Sequence, residues 1–270
     1  QLISHCDALI FDARRNSGGE VETLQVYISY FVSPDPRLYD SFYYRPTQET
    51  QQFWTMPYVP GSRMPDVPLY ILTSRVTGSG GEAFAYILKG MGRATVIGEA
   101  TLGAAHTTGM EIVEEHFQVE YPSGRSISPF TQDDWEGVGV QPDIVVPPED
   151  ALQAAHLHAL ERLIQSCQDD SRKWELDWDL EIARNSYAPT RLDETILARY
   201  AGQYGDRSFS VTNGSLAYSR QGNPPMRLVP LLENRFLYPD AMKFEFMPDN
   251  SVTIFYHDGR PAINLARKKP

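Results

Sequence analysis

The feature that most constrains the fold is a repeated pattern: an apolar run ends in a glycine-containing turn, and an amphipathic helix pattern follows. The first copy runs from apolar residues 7–11 through the turn ARRNSGGE to a periodic stretch at 21–31. The second runs from the continuous apolar stretch 67–73 through TGSGGE to a helix pattern at about 81–91, and another apolar run follows at 94–98. Strands that alternate with helices predict a parallel sheet covered on both faces. The expected fold class is therefore α/β.

The segment between the two copies and the segment after them are organised differently. Residues 33–66 contain six prolines among aromatic side chains, which predicts a long irregular excursion of the kind that serves as a lid or binding surface. Further on, alternating residues predict a strand at 111–121 and a hairpin at YPSGRSI, and an amphipathic pattern predicts a helix at 149–168.

A change of pattern predicts two domains. The first covers residues 1–168, and a charged stretch at 169–188 is expected to be a linker. From residue 189 to 270, short alternating runs are separated by Asn-Gly and Asp-Gly pairs, which are typical of tight hairpin turns. The second domain is therefore expected to be small and all-β.

Composition limits the classes of molecule that the protein is expected to bind. The formal charge is −11, with 35 acidic and 24 basic residues, which argues against a nucleic-acid surface. Cys6 and Cys167 form no disulfide framework or zinc motif, and no metal or cofactor is expected. No apolar run reaches the roughly 18–20 residues that cross a bilayer. Because a strand pattern begins within ten residues of Gln1, we expect the chain to be a piece of a longer protein.

The two glycine turns carry the candidate chemistry. In an open parallel sheet, ligands bind beyond the carboxyl ends of the strands, and both turns are predicted to lie there. Glycines let the backbone approach a substrate closely, and the amides at a helix start have no partner in the helix. The turns therefore predict that Gly18 or Gly19, together with Gly80, donates to a developing oxyanion while Ser79 attacks a carbonyl carbon.

The position of Ser79 also suggests three other interpretations. A serine at a helix start is a common N-cap, and the residues alone leave this alternative open. A phosphate-binding loop needs a lysine after its last glycine, but Glu82 stands there. The nucleophile turn of α/β-hydrolases needs glycine two residues before the serine, but Thr77 occupies that position.

Three stretches together resemble peptidase family S41, which includes C-terminal (tail-specific) processing proteases, tricorn-like proteases and the repeated modules of interphotoreceptor retinoid-binding protein. They are ALIFDARRNSGG, VPLYILTSRVTGSGGEAFAYILKGMGRATVIGEATLGAAH and RSISPFTQDDWEGVGVQPDIVVPPEDAL, and they span roughly residues 7–166. The resemblance implies a crotonase-like α/β spiral and a serine endopeptidase that cleaves protein or peptide substrates near their C-termini. It places Ser79 at the nucleophile position, with Gly80 and a glycine of RNSGG in the oxyanion hole.

At the position of the general base, the sequence differs from some members of the family. Members with a Ser-Lys dyad carry a lysine at the position of Ala104, so that dyad is excluded here. The tricorn-like branch uses a histidine far upstream of the nucleophile, which would precede Gln1, and a glutamate that matches Glu136. The resemblance thus implies a base from an N-terminal segment outside this chain, and little activity of the chain alone. His106 is the local alternative, either as base or as a substrate-contacting or structural residue.

A second hypothesis makes the protein a non-catalytic binding module of the same fold. The aromatic residues of 33–66 and the alanine at position 104 fit a protein that holds an apolar ligand or peptide without cleaving it. The β domain resembles small lipocalin-like modules attached to bacterial hydrolases, as a structural or substrate-presenting part. By family habit alone, the protein is expected to be exported or periplasmic in a bacterium, and homo-oligomerisation is left open.

Overall fold

The computed structural model describes residues 3–221, 223–239 and 241–268. The chain divides into two compact units, Gln1–Ala159 and Leu160–Pro270. The first unit contains, in chain order, β1 (Leu9–Asp12), α1 (Val21–Tyr30), β2 (Leu38–Tyr44), β3 (Glu49–Trp54), β4 (Leu69–Thr73), α2 (Gly80–Gly90), β5 (Ala94–Gly98), β6 (Thr107–Val113), β7 (Phe117–Ile127) and β8 (Ile144–Val145). Helix α3 (Ala151–Ser166) begins in the first unit and ends in the second.

The predicted parallel sheet is present, with strand order β1-β4-β5-β8 and parallel pairing throughout. Strand β4 is buried along its whole length because both of its faces are covered. Ile71 packs into a core with residues of α1 and α2, whereas its neighbour Leu72 packs on the opposite face with Ala155 of α3. The α/β expectation is confirmed, and the carboxyl ends of β1 and β4 lead into the two glycine turns.

The prediction of an irregular excursion at 33–66 is wrong in part, because β2 and β3 lie within it. They form an antiparallel sheet of order β3-β2-β7-β6. The run LYDSFYY contains no proline and is rich in aromatic residues, which suits a strand, and Tyr39 and Phe42 are buried. The predicted hairpin at YPSGRSI is also wrong, since these residues continue β7; the chain reverses at residues 114–116, where Glu114 has a positive φ of 55°.

The second unit contains two antiparallel sheets in addition to helices α4 (Asp170–Tyr187) and α5 (Glu194–Tyr200). Phe209, Phe236, Phe244 and Phe246 are central to its core. One sheet has the order β12-β11-β10-β9 and the other β13-β14-β15-β16-β17. The strands are β9 (Gly202–Tyr204), β10 (Arg207–Thr212), β11 (Ser215–Arg220), β12 (Met226–Arg227), β13 (Val229–Pro230), β14 (Arg235–Tyr238), β15 (Met242–Phe246), β16 (Ser251–Tyr256) and β17 (Ile263–Ala266).

The charged stretch 169–188, expected to be a linker, instead forms α4. Asp169 caps this helix by accepting a hydrogen bond from the Arg172 amide at 2.6 Å. Leu176, Trp178 and Leu180 are buried despite the many charged residues around them. Leu176, Leu180 and Ala183 share one helix face, so an apolar stripe is present that the charged composition concealed.

Candidate functional site

Ser79 is the exposed N-cap of α2, and its backbone is in an unusual conformation. Its φ is 49° and its ψ is −120°. These angles match the first central residue of a type II′ turn, a position dominated by glycine because a Cβ is disfavoured there. A side chain held in such a conformation is a form of stored strain that clusters at functional sites. The structure therefore presents the Ser79 hydroxyl outward on a strained turn.

The two glycine turns are in contact. A Cβ added to Gly80 would lie 2.6 Å from the carbonyl oxygen of Gly19, and one added to Gly18 would lie 3.4 Å from Ser79 Oγ. The Gly78 amide also donates to the carbonyl oxygen of Asn16 at 3.0 Å. Side chains at these glycine positions would force the turns apart. Glycine is required here by close backbone approach.

The amide N–H groups of the two turns differ in whether they already donate a hydrogen bond within the protein. Gly18 N–H donates to the side-chain oxygen of Asn16 at 3.0 Å and is thus occupied. Gly19 N–H donates to no other group among the residues that the structure describes. Gly80 lies in the first turn of α2, where an amide has no acceptor within the helix. Gly19 and Gly80 thus each have an amide without an acceptor among the described residues.

Glu82 is fully buried and joins the Ser79 turn to the loop after β5. Its carboxyl group accepts hydrogen bonds from the Ser79 amide at 2.8 Å, the Gly103 amide at 2.6 Å and the Ala104 amide at 2.9 Å. The hydroxyl of Thr101 donates a fourth bond. From the sequence, Glu82 excludes a phosphate loop and is expected either to favour the helix start as a first-turn acid or to take part in the site. The structure makes it the residue that sets the distance between Ser79 and the position of Ala104.

His106 and Glu136, two separate candidates from the sequence, lie close together in the structure. Glu136 accepts hydrogen bonds from the amides of Ala105 at 2.8 Å and His106 at 2.9 Å. His106 Nδ1 is 3.9 Å from Glu136 Oε2, and its Nε2 is 3.2 Å from Asp134 Oδ2. Both ring nitrogens therefore face carboxylates. Asp134, which sequence reasoning missed, is almost wholly buried.

A cavity of about 360 Å³ adjoins Ser79. Ser79, Gly19, Gly80, Ala104 and His106 all line it. The remaining wall is largely apolar, and its members include Leu24, Tyr39, Phe42, Ala83, Ile87 and Trp135. The structure thus gathers Ser79, His106 and two of the predicted oxyanion glycines around one concave site, of the size that holds a small ligand or side chain.

Asp40 is a polar exception in this wall, and sequence analysis did not single it out. Only 6% of the residue is exposed. Its Oδ1 accepts hydrogen bonds from the Ser126 hydroxyl at 2.6 Å and the Ser41 amide at 2.9 Å. Burial raises the pKa of Asp40, and the charge of Asp134 adds to this effect. Burial and the Asp40 charge likewise raise the pKa of the Tyr39 hydroxyl, which has no hydrogen-bond partner in the described part of the chain.

Asp12 and Arg14 brace the first turn from the side. The Arg14 guanidinium donates to Asp12 at 2.8 and 2.6 Å and to the carbonyl oxygen of Pro148 at 2.5 Å. These hydrogen bonds hold the pKa of Asp12 below its ordinary value. The Ser74 hydroxyl in turn donates to the carbonyl oxygen of Arg14 at 2.7 Å, which ties the first turn to the second.

The described parts of the chain contain neither a cluster of metal-ligating side chains nor a membrane-spanning helix. No three His, Cys, Asp or Glu side chains there are grouped as a metal site requires. No helix among the same residues has the length and apolarity needed to traverse a bilayer.

The family is decided by comparison with known proteins. The model of peptidase family S41 matches residues 1–146 of the 270. The chain belongs to peptidase family S41. The predicted family is thus confirmed, and the matched region includes Ser79, both glycine turns, His106 and Glu136.

Two solved structures are among those that match this chain. A putative peptidase from Parabacteroides merdae ATCC 43184 is 21% identical, with a TM-score of 0.51, over 62% of this chain and 54% of that one. A photosystem II D1 C-terminal processing protease is 24% identical, with a TM-score of 0.43, over 53% of this chain and 35% of that one. The chain therefore spans about half or less of these relatives' length, and the first likeness shows the fold alone.

Proposed function

We propose that this S41 chain carries the nucleophile and oxyanion hole of a serine endopeptidase that cleaves protein or peptide substrates. The observation that carries the proposal is the strained, exposed Ser79 on a turn that contacts the Gly18–Gly19 turn through Gly80. Strain of about 1–3 kcal/mol is typical of such a backbone conformation, and it persists where the surrounding structure enforces it. A helix cap alone gives no reason for a type II′ conformation, because N-cap residues ordinarily adopt extended angles.

The proposed reaction begins when Ser79 Oγ attacks the carbonyl carbon of the scissile peptide while a general base removes the hydroxyl proton. The carbonyl oxygen becomes negatively charged and accepts hydrogen bonds from the amides of Gly19 and Gly80. Collapse of this intermediate breaks the C–N bond, and the leaving amine takes up the proton. Water then attacks the ester carbon, which releases the acid and restores the Ser79 hydroxyl.

The general base has two candidates. His106 lines the same cavity as Ser79, but its ring nitrogens face Asp134 and Glu136. Those contacts suit a residue that organises the loop or touches substrate. We therefore propose the arrangement implied by the tricorn-like resemblance, in which a histidine outside these residues is the base and Glu136 supports the site. Cleavage near substrate C-termini and export from a bacterial cell are predictions from family resemblance.

A fluorophosphonate probe tests the proposal, because it reacts with activated serine hydroxyls. The intact protein in which this chain occurs is treated with the probe, and labelled peptides are located by mass spectrometry. We expect labelling at Ser79, loss of labelling in Ser79→Ala, and a large decrease in Glu136→Gln. Labelling that is absent from Ser79, or unchanged by Ser79→Ala, would contradict a nucleophilic role.

A binding module is the second candidate, favoured by the absence of a lysine at Ala104 and by the occupied ring of His106. In that case the cavity beside Ser79 would hold a peptide or apolar ligand without cleavage. Peptide binding by the intact protein, with no turnover and no dependence on the Ser79 hydroxyl, would select this candidate. Turnover that is abolished in Ser79→Ala would exclude it.

A further inference from the structure

Asp40 is a buried acid in the wall of the cavity beside Ser79, and it has no ion-pair partner among the described residues. The Asp40 carboxyl group accepts hydrogen bonds only from neutral donors, namely the Ser126 hydroxyl and the amides of Ser41 and Ile127. No Lys, Arg or His among the described residues forms an ion pair with it. Burying a carboxylate without a counter-charge is costly, and such groups are ordinarily paired. A cationic group of a ligand would supply the counter-charge that the Asp40 carboxylate lacks among the described residues.

The surroundings of Asp40 strengthen the negative character of this cavity. Asp134 adds a second, nearly buried carboxylate that acts electrostatically on Asp40. The guanidinium of Arg125 lies 3.5 Å from Asp134 and offsets part of that second charge, but it does not contact Asp40. Glu136 contributes a further carboxylate near His106. The balance of charges beside Ser79 is therefore negative, while the remaining wall is apolar.

One more polar group in the wall is unpartnered. Tyr39 is 1% exposed and lines the cavity next to Asp40, and its hydroxyl has no hydrogen-bond partner among the described residues. Buried hydroxyl groups without a partner are rare in folded proteins, because the lost hydrogen bond costs about 1–3 kcal/mol. The Tyr39 hydroxyl is therefore an unsatisfied polar group next to Asp40.

We propose that Asp40 is a specificity-determining residue of this cavity and selects a lysine or arginine side chain on the acyl side of the bond that Ser79 attacks. The apolar wall accommodates the methylene groups of such a side chain, and the carboxylate pairs with its terminal cation. An acid in the equivalent pocket gives a serine protease its preference for basic residues. The inference rests on the proposed function for the cleavage step, but not for binding of the cation.

A binding experiment tests the pocket without requiring catalysis. The probe is p-aminobenzamidine, an arginine-like cation whose fluorescence increases in apolar sites, and p-aminobenzamide is its neutral analogue. Each is titrated into the 270-residue chain. We expect saturable binding of the cation at least tenfold tighter than that of the neutral compound. Equal affinity for the two compounds, or binding of neither, would overturn the inference even if Ser79 were labelled by a fluorophosphonate.

Variants assign the effect to Asp40. Asp40→Asn should weaken cation binding at least tenfold, whereas the exposed Asp35→Asn, which changes the net charge equally, should leave it unchanged. Circular dichroism and the urea midpoint establish that both variants fold. If Asp40→Asn does not fold, the comparison of charged and neutral probes on the wild-type chain decides the matter. Full cation affinity in a folded Asp40→Asn variant would contradict the assignment.

Discussion

At the scale of single residues, the site depends on two side chains that tolerate unfavourable environments. Ser79 has glycine-like backbone angles, and Glu82 is buried completely while it accepts four hydrogen bonds. The position of Ser79 was predictable, because TGSGGE follows an apolar strand. The role of Glu82 was not, since three of its donors lie about twenty residues away, in the loop after β5. Contacts at that sequence separation depend on the fold.

The strain at Ser79 predicts an order of stability between two variants. Ser79→Gly and Ser79→Ala both lose the hydroxyl, but only alanine retains a Cβ at a φ of 49°. Relief of about 1–3 kcal/mol of strain exceeds the entropy that glycine adds to the unfolded chain, about 0.4–1 kcal/mol. We expect Ser79→Gly to unfold at a higher urea concentration than Ser79→Ala. Its free energy of unfolding should be larger by about 1 kcal/mol. Equal midpoints would show that the turn is not strained.

Glu82→Gln should destabilise the first unit by about 2–4 kcal/mol, because the amide nitrogen that replaces one oxygen cannot accept hydrogen bonds from the surrounding donors. Urea unfolding followed by fluorescence measures the change. Glu149→Gln is the matched control, since Glu149 is exposed and should lie within about 0.5 kcal/mol of wild type. A Glu82→Gln variant as stable as the control would mean that the four bonds do not hold the turn to the loop.

At the scale of elements, the strand-to-helix turns were predicted and the second sheet was not. Continuous apolar runs identify β4 and β5 as buried strands, because both faces of a parallel sheet are covered. Strand β2 was obscured by the prolines on either side of it, although it supplies Tyr39 and Asp40 to the cavity wall. Pairing of β2 with β7 joins residues more than eighty positions apart, which a local pattern does not specify.

The start of α2 gives a test of the contact between the two turns. Alanine favours a helix over glycine by about 1 kcal/mol, but a Cβ at Gly80 would lie 2.6 Å from the Gly19 carbonyl oxygen. Overlap with backbone atoms costs about 1–3 kcal/mol, so Gly80→Ala should be destabilised and should lose fluorophosphonate labelling. Gly19→Ala is the control for folding, because its Cβ would meet nothing within 4 Å. A Gly80→Ala variant more stable than wild type would contradict the contact.

At the scale of the whole molecule, buried charge links the candidate pocket to global stability. The chain carries a formal charge of −11, and most acidic groups are solvated. Asp40 is an exception, because it is buried without a cation. Composition predicted an acidic protein but could not indicate which acid would be buried in the cavity beside Ser79. That placement follows from the pairing of β2 with β7.

The pH dependence of unfolding should reveal the Asp40 charge. Because burial raises its pKa in the folded state above the ordinary value of 3.8, ionisation favours the unfolded chain. As pH rises from 3.8 through the raised pKa, wild type should lose stability relative to Asp40→Asn. The difference in unfolding free energy between the two proteins, measured in urea from pH 3.5 to 8, cancels the groups that they share. A difference independent of pH would contradict a perturbed Asp40.

The most direct test of the central claim is a crystal structure of the intact protein with a peptide boronate bound. The account predicts a tetrahedral boron bonded to Ser79 Oγ, with one boronate oxygen about 2.7–3.1 Å from the amide nitrogens of Gly19 and Gly80. An adduct at another nucleophile, or an oxygen that points away from both glycine amides, would contradict it.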